Sequence, residues 1–237
     1  MPALAIHLDA PMQSWGTSSR FQYRETDAYP GKSAIIGLIA AAMGIDKHAP
    51  DEATHIARLA TLRLTAIRIP KNNNVQRLTD FHTIGGGYDK KGPPHEKLSI
   101  PKKASGAPFG TVITRRSYLT DAAFAAILEG EQTLLETIQS ALLDPVWGVW
   151  FGRKTCIPAA PLSPILAPTP REALATLLQK LGRNPADLDT LEGVAEDHGP
   201  GTWFQMDQPV AFGQHHGEVP APDHSRPVRR ITAANLT

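Results

Sequence analysis

The sequence predicts an α+β fold with a β-α-β-β-α-β order, a ferredoxin-like arrangement. Three features point there. An alternating strand runs straight into an Ala-rich apolar helix. Two strand-like stretches flank a long basic arm. An amphipathic helix then leads to a second apolar stretch.

Residues 3–10 (ALAIHLDA) alternate apolar and polar and read as a strand that Pro11 ends. Residues 12–30 are polar and aromatic without a period, which reads as a loop. Pro30-Gly31-Lys32-Ser33 precedes AIIGLIAAAMG, a buried helix of about three turns with Ser33 as N-cap and Gly44 just past its end. Residues 61–69 alternate as a second strand, and 75–84 suit a third. Residues 85–110 hold Gly85-Gly86-Gly87, several prolines and five lysines, a composition foreign to a core. With strand-like stretches on either side, this arm is expected to form a protruding hairpin. AAFAAIL (122–128) reads as helix by composition and as strand by position. Residues 131–143 put Leu134, Leu135, Ile138, Ala141 and Leu142 on one face of a helix. Residues 146–157 read as the closing strand. From Pro158 to Pro170 five prolines mark an irregular connection; a helix over 171–181 follows, and the tail beyond Gly199 could add a strand or two. The expected organisation is a domain over 1–160, its basic thumb at about 82–117, and a small C-terminal extension over 161–237.

The chain has 237 residues, 41% hydrophobic and 20% charged, which suits one globular domain with an appendage. One cysteine, Cys156, excludes an internal disulfide framework and a multi-thiolate zinc site. No stretch nears the roughly 18 apolar residues of a membrane span, and nothing at the N-terminus reads as a secretory signal. The expectation is a cytoplasmic protein with no membrane partner. A net charge of +1 argues at first against a nucleic-acid partner. Resolved by segment, it says the opposite. Residues 71–116 carry nine Lys/Arg against three Asp/Glu, and the remainder carries 15 against 20, so a +6 arm sits on a −5 body. Such asymmetry suits a polyanion, or a solvated lysine-rich loop.

Gly31-Lys32-Ser33 before a helix resembles the end of a phosphate-binding loop, but the glycine required five residues earlier is Thr26. Phosphate binding at the helix start and simple helix capping both remain open. His215, His216 and His224 are a weak metal set, since adjacent histidines diverge on regular structure; no metal and no cofactor are expected. Tyr88, His95 and Lys97, with His82, could serve acid–base cleavage at a 2′-hydroxyl, or merely touch phosphate. Cys156 reads as a packed thiol. Trp15, Arg20, Phe21, Tyr23 and Arg24 crowd one loop, a mix that holds single-stranded RNA through stacking and phosphate contacts. Alternatively, Trp15 and Phe21 cap the core and the arginines are solvated.

Five blocks in order carry a family resemblance: Pro11-Met12-Gln13-Ser14-Trp15-Gly16; Tyr29 to Ile45; Asp80-Phe81-His82-Thr83; Arg116 to Phe124; and Phe151-Gly152-Arg153-Lys154-Thr155-Cys156-Ile157-Pro158. Over residues 3–162 the chain resembles the CasD family, the RAMP subunits of type I-E CRISPR Cascade. That resemblance implies an RRM-like ferredoxin domain with a β-hairpin thumb and a short C-terminal addition. It implies a non-catalytic subunit holding the 5′ handle of crRNA beside the large subunit CasA and the backbone subunit CasC, with target DNA engaged indirectly. It places AAFAAIL on the strand that continues the thumb. It also puts Gln13, Trp15, Gly16, Lys32 and Ser33 near the handle, and Arg153 and Lys154 against RNA. The remaining RNA-contact candidates are Arg20, Arg24, His82, Lys90, Lys91, Lys97, Lys102, Lys103, Arg115 and Arg116. The alternative is a metal-independent endoribonuclease maturing pre-crRNA, as in type I-C relatives that cut with a Tyr, Lys and His set; no such set aligns here, although Tyr88, His95 and Lys97 leave it open.

Overall fold

The computed structural model describes residues 1–16, 19, 21–71, 75–84, 103, 105–106, 110–209 and 225–236. Its first half runs β1 (Ala3–Gln13), β2 (Tyr23–Arg24), α1 (Lys32–Met43), α2 (Glu52–Ala60), β3 (Arg63–Arg68), β4 (Gln76–Ile84), β5 (Val112–Glu129) and α3 (Gln132–Leu143). The second half adds β6 (Ile165–Ala167), α4 (Pro170–Lys180), β7 (Glu192–Glu196), β8 (Trp203–Met206) and β9 (Ser225–Thr232). Strands lie in the order β6-β1-β5-β3-β7-β9-β8, and β2 and β4 pair with the outer half of β5. The first four of these, β6-β1-β5-β3, form the antiparallel ferredoxin sheet.

The central strands read as continuous apolar runs because both faces are buried. Leu4, Ile6 and Leu8 of β1, with Phe124, Ala126 and Leu128 of β5, pack under Ile35, Ile39, Leu135 and Ile138 of α1 and α3. The alternate positions, Ala3, Ala5, Ala123, Ala125 and Ile127, pack under Ala173, Leu174 and Leu177 of α4. Four alanines on that face let α4 lie close to the sheet. The open sheet surface on which an RRM stacks RNA is thus covered here. β7, β9 and β8 extend the same sheet past β3.

β5 settles the helix-or-strand ambiguity at 122–128 in favour of strand. Its 18 residues pair with β1 from Leu119 to Glu129, with β3 from Phe124 to Glu129, and with β4 from Val112 to Thr120. Asp121, at φ 51, marks the change of partner from β3 to β4.

Three expectations need correction. Residues 146–157 are not the closing strand; β6 takes that place against β1. The Val146 and Trp147 amides donate instead to the Ala42 and Ala41 carbonyls at the end of α1, and Phe151 and Cys156 close a tight loop on themselves. Ser33 is not the N-cap of α1. Gly31 holds that position at φ −85, ψ 158, and Asp207 takes the free amides: its Oδ2 accepts from Lys32 N at 2.7 Å and its carbonyl from Ser33 N at 2.9 Å. Gly44 does end the helix, left-handed at φ 71. Finally, α2 falls where no helix is expected, since its nine residues bury only Leu59 among apolar side chains.

Candidate nucleic-acid interface

The loop after β1 folds onto itself. The Trp15 amide donates to Thr26 Oγ1 at 2.8 Å, the Asp27 amide donates to the Trp15 carbonyl at 2.9 Å, and the Trp15 indole donates to Gln13 Oε1 at 2.9 Å. Gln13 Nε2 in turn donates to the carbonyls of Ala122, at 2.7 Å, and Leu8, at 3.1 Å. Both side chains are buried, with the Trp15 ring 5.9 Å from that of Phe151. Lys32 is 1% exposed; its Nζ lies 2.9 Å from Glu196 Oε1, and burial pushes its pKa down against that partner. The expectation that Gln13, Trp15 and Lys32 turn their side chains to RNA is therefore corrected: their polar atoms are used inside the protein. The phosphate-loop reading ends here too, because the Asp207 carboxylate sits at the helix start as its anion. Asp207 is itself held bidentately by buried Arg226, one contact being 2.8 Å.

The Gly152-Arg153-Lys154 loop is stapled against this base. The Ser14 amide donates to the Phe151 carbonyl at 3.0 Å. Gly152 turns at φ +93, and a Cβ there would lie 1.7 Å from the Ser14 carbonyl oxygen, so only glycine fits. Arg153 donates to the carbonyls of Ser117, at 3.0 Å, and Arg24, at 2.7 Å, with its guanidinium 4.6 Å from the Tyr118 ring centre. Arg153 is thus a brace between loop and strands. Lys154 is exposed, its Nζ 5.7 Å from the Trp150 ring centre. Cys156 is buried beneath, and burial raises its thiol pKa, which suits packing rather than chemistry.

A groove of about 540 Å³ opens between the loop, α1 and this turn. Ser14, Gly16, Arg24, Ser33, Trp150 and Lys154 are among its walls. Three of the five sequence blocks that carry the family resemblance therefore meet at one place. Gly16 is exposed and shapes the wall; a Cβ there would lie 2.4 Å from the Glu25 carbonyl oxygen.

Beside the groove, β2, β5 and β4 form a three-stranded ribbon. Residues opposite one another share a face. Arg24, Arg116 and Asp80 form one row, and Tyr23, Arg115 and Phe81 form the next, on the other face. His82 is half-buried, pairs with Thr114 in the ladder, and lies 4.0 Å from Asp80. Arg24 and Arg115 are exposed, Arg116 is half-buried, and none of the three forms an ion pair among the described residues. Lys103 is exposed in a short turn. Arg20, Lys90, Lys91, Lys97 and Lys102 lie outside the described residues, as do Tyr88, His95, His215, His216 and His224. Among the described residues no group of His, Cys, Asp and Glu could hold a metal ion, and no helix is long and apolar enough to cross a membrane.

Sequence reasoning missed Ser14 as a groove-lining residue, Trp150 and Phe81 as surface features, and Asp207 and Arg226 as the anchor of α1. Phe81 stands in a block that resembles the family, but its place beside Arg115 depends on a register that no local pattern reveals. The Asp207–Lys32 bond spans 175 residues.

Unpaired cations beside exposed rings suit a polyanion with stackable faces, and this surface sits on a ferredoxin-like sheet. Comparison places the chain among CRISPR-associated proteins: a family model described as CRISPR-associated protein (Cas_Cas5) matches residues 3–216. The chain belongs to the Cas5 family. The CasD subunit of the Escherichia coli (strain K12) CRISPR Cascade system is 28% identical over 170 residues, covering 67% of this chain and 68% of that one. A chain from a CRISPR RNA-guided surveillance complex is 25% identical with a TM-score of 0.65, over 97% of this chain and 89% of that one. A crystal structure of a Cas protein is 31% identical with a TM-score of 0.62, over 98% and 94%.

Proposed function

We propose that this chain is the RNA-holding subunit of a Cascade-type CRISPR effector complex. It grips the 5′ handle of crRNA at the groove and ribbon root and does not cut it. Its neighbours in the complex would be a CasA-like large subunit and a CasC-like backbone subunit, with target DNA engaged indirectly, in the cytoplasm. The observation that carries this reading is the basic groove itself. Arg24 and Lys154 stand exposed on a wall that Gly16, Gly152 and Arg153 hold open, in a member of the Cas5 family.

Phosphate contacts release counterions, so binding should fall steeply with salt. Arg24→Gln with Lys154→Gln should lower affinity for handle RNA and flatten the log K against log salt slope by about 1.4, roughly 0.7 per lost single-strand contact. Unchanged affinity and slope would overturn the assignment. Arg153 is left intact because its loss would unfasten the loop. Incubating the protein with repeat RNA in EDTA decides against the nuclease alternative if no cleavage occurs, and for it if the RNA is cut.

A further inference from the structure

We propose that Tyr23, Arg115 and Phe81 form a stacking platform for one unpaired base of single-stranded RNA. This rests on the RNA-holding reading and names the residues that would take a base. Tyr23 is opposite Arg115 in the parallel β2–β5 pair, and Phe81 is opposite it in the antiparallel β4–β5 pair, so the three share one face. The guanidinium carbon lies 5.3 Å from the Tyr23 ring centre and 5.0 Å from that of Phe81. The Tyr23 hydroxyl accepts a bond from Arg115 Nη1, which fixes the plane. No carboxylate pairs with Arg115 among the described residues. The rings are left in water: Phe81 is 64% and Tyr23 49% exposed, and Phe21, two residues before Tyr23 in the sequence, is 90% exposed. A folded chain gains nothing by holding three rings and an uncompensated cation outward. A base gains from both, through ring stacking and cation–π attraction.

The two faces of the ribbon divide the work. Arg24 faces the groove and the phosphates. Tyr23, its neighbour in a strand only ~7 Å long, faces the platform. A nucleotide crossing that edge leaves its phosphate at Arg24 and lays its base on Arg115 and Phe81.

The test walks 2-aminopurine through each position of the handle RNA. On binding, one position should be quenched far more than the rest. Phe81→Ala should abolish that quench and weaken binding on the order of tenfold. The salt slope should stay unchanged, since a ring releases no counterion. Phe81→Trp should restore the quench and Phe81→Leu should not, which separates stacking from bulk. Full affinity and quench in Phe81→Ala would overturn the platform while leaving the RNA-holding reading intact. So would loss of a co-purifying protein subunit at unchanged RNA affinity, which would assign the rings to a protein contact. Failure of the wild-type protein to bind handle RNA would overturn both.

Discussion

The two halves of β5 make an instructive pair. They belong to one 18-residue strand with one backbone geometry. From Ala122 to Leu128 every side chain is buried, against α1 and α3 on one face and α4 on the other. From Val112 to Arg116 four of the five are exposed or half-exposed, although β2 and β4 flank them. The inner half draws its stability from apolar burial. The outer half puts valine, isoleucine and arginine on a surface that the described residues leave uncovered. Among the described residues, this part of the strand runs past the core.

Substitutions should separate the halves. Phe124→Ala, in the inner half, should lower unfolding free energy by about 3–5 kcal/mol, whereas Ile113→Ala, in the outer half, should stay within about 0.5 kcal/mol. Denaturant midpoints would show it, and equal losses would break the distinction. Asp207→Ala should cost about 3–5 kcal/mol in the same assay, because it strands the buried Arg226 and uncaps α1. A loss below 1 kcal/mol would mean that the pair is not what holds the helix start. Gly152→Ala should cost about 1–3 kcal/mol through backbone strain, and more if the loop cannot move off Ser14; handle-RNA affinity should fall with it. The smallest effect is pH-dependent. His7 pairs in register with Ala125 of the inner half, and burial pulls its pKa below the ordinary 6.5. The folded state therefore resists its protonation, and stability should decline as pH falls from 6.5 through the lowered value. His7→Leu should flatten that decline.

Much of what packs around the inner half was legible in the sequence, because period and composition report burial, but the inner half itself, AAFAAIL, reads as helix by composition. β1, the helix at 131–143 and the helix beginning near 171 all follow from apolar spacing, and the βαββαβ order follows from them. The closing strand was misplaced because Trp147, Val149, Trp150 and Phe151 have strand-like composition. Their amides are drawn to the end of α1 and into the Gly152 turn, and neither contact leaves a local signature. Of the candidate site, Arg24 was visible as charge beside aromatic residues, Arg115 and Arg116 as part of the basic segment, and the Gly-Arg-Lys turn only through the family resemblance. The inward turn of Gln13 and Lys32 was not, since each depends on a partner far along the chain, Ala122 and Glu196; that of Trp15, against Phe151, stood only as the alternative to an RNA contact.

The central claim is that RNA lies at the groove and ribbon root and not on the sheet. Photocrosslinking of 4-thiouridine-substituted handle RNA, with the linked peptides mapped by mass spectrometry, tests it most directly. Crosslinks should fall on peptides holding Tyr23–Arg24, Phe81, Arg115–Arg116 and Trp150–Lys154. Crosslinks confined to the Trp203–Met206 edge or to α4, with none at the ribbon root, would contradict it.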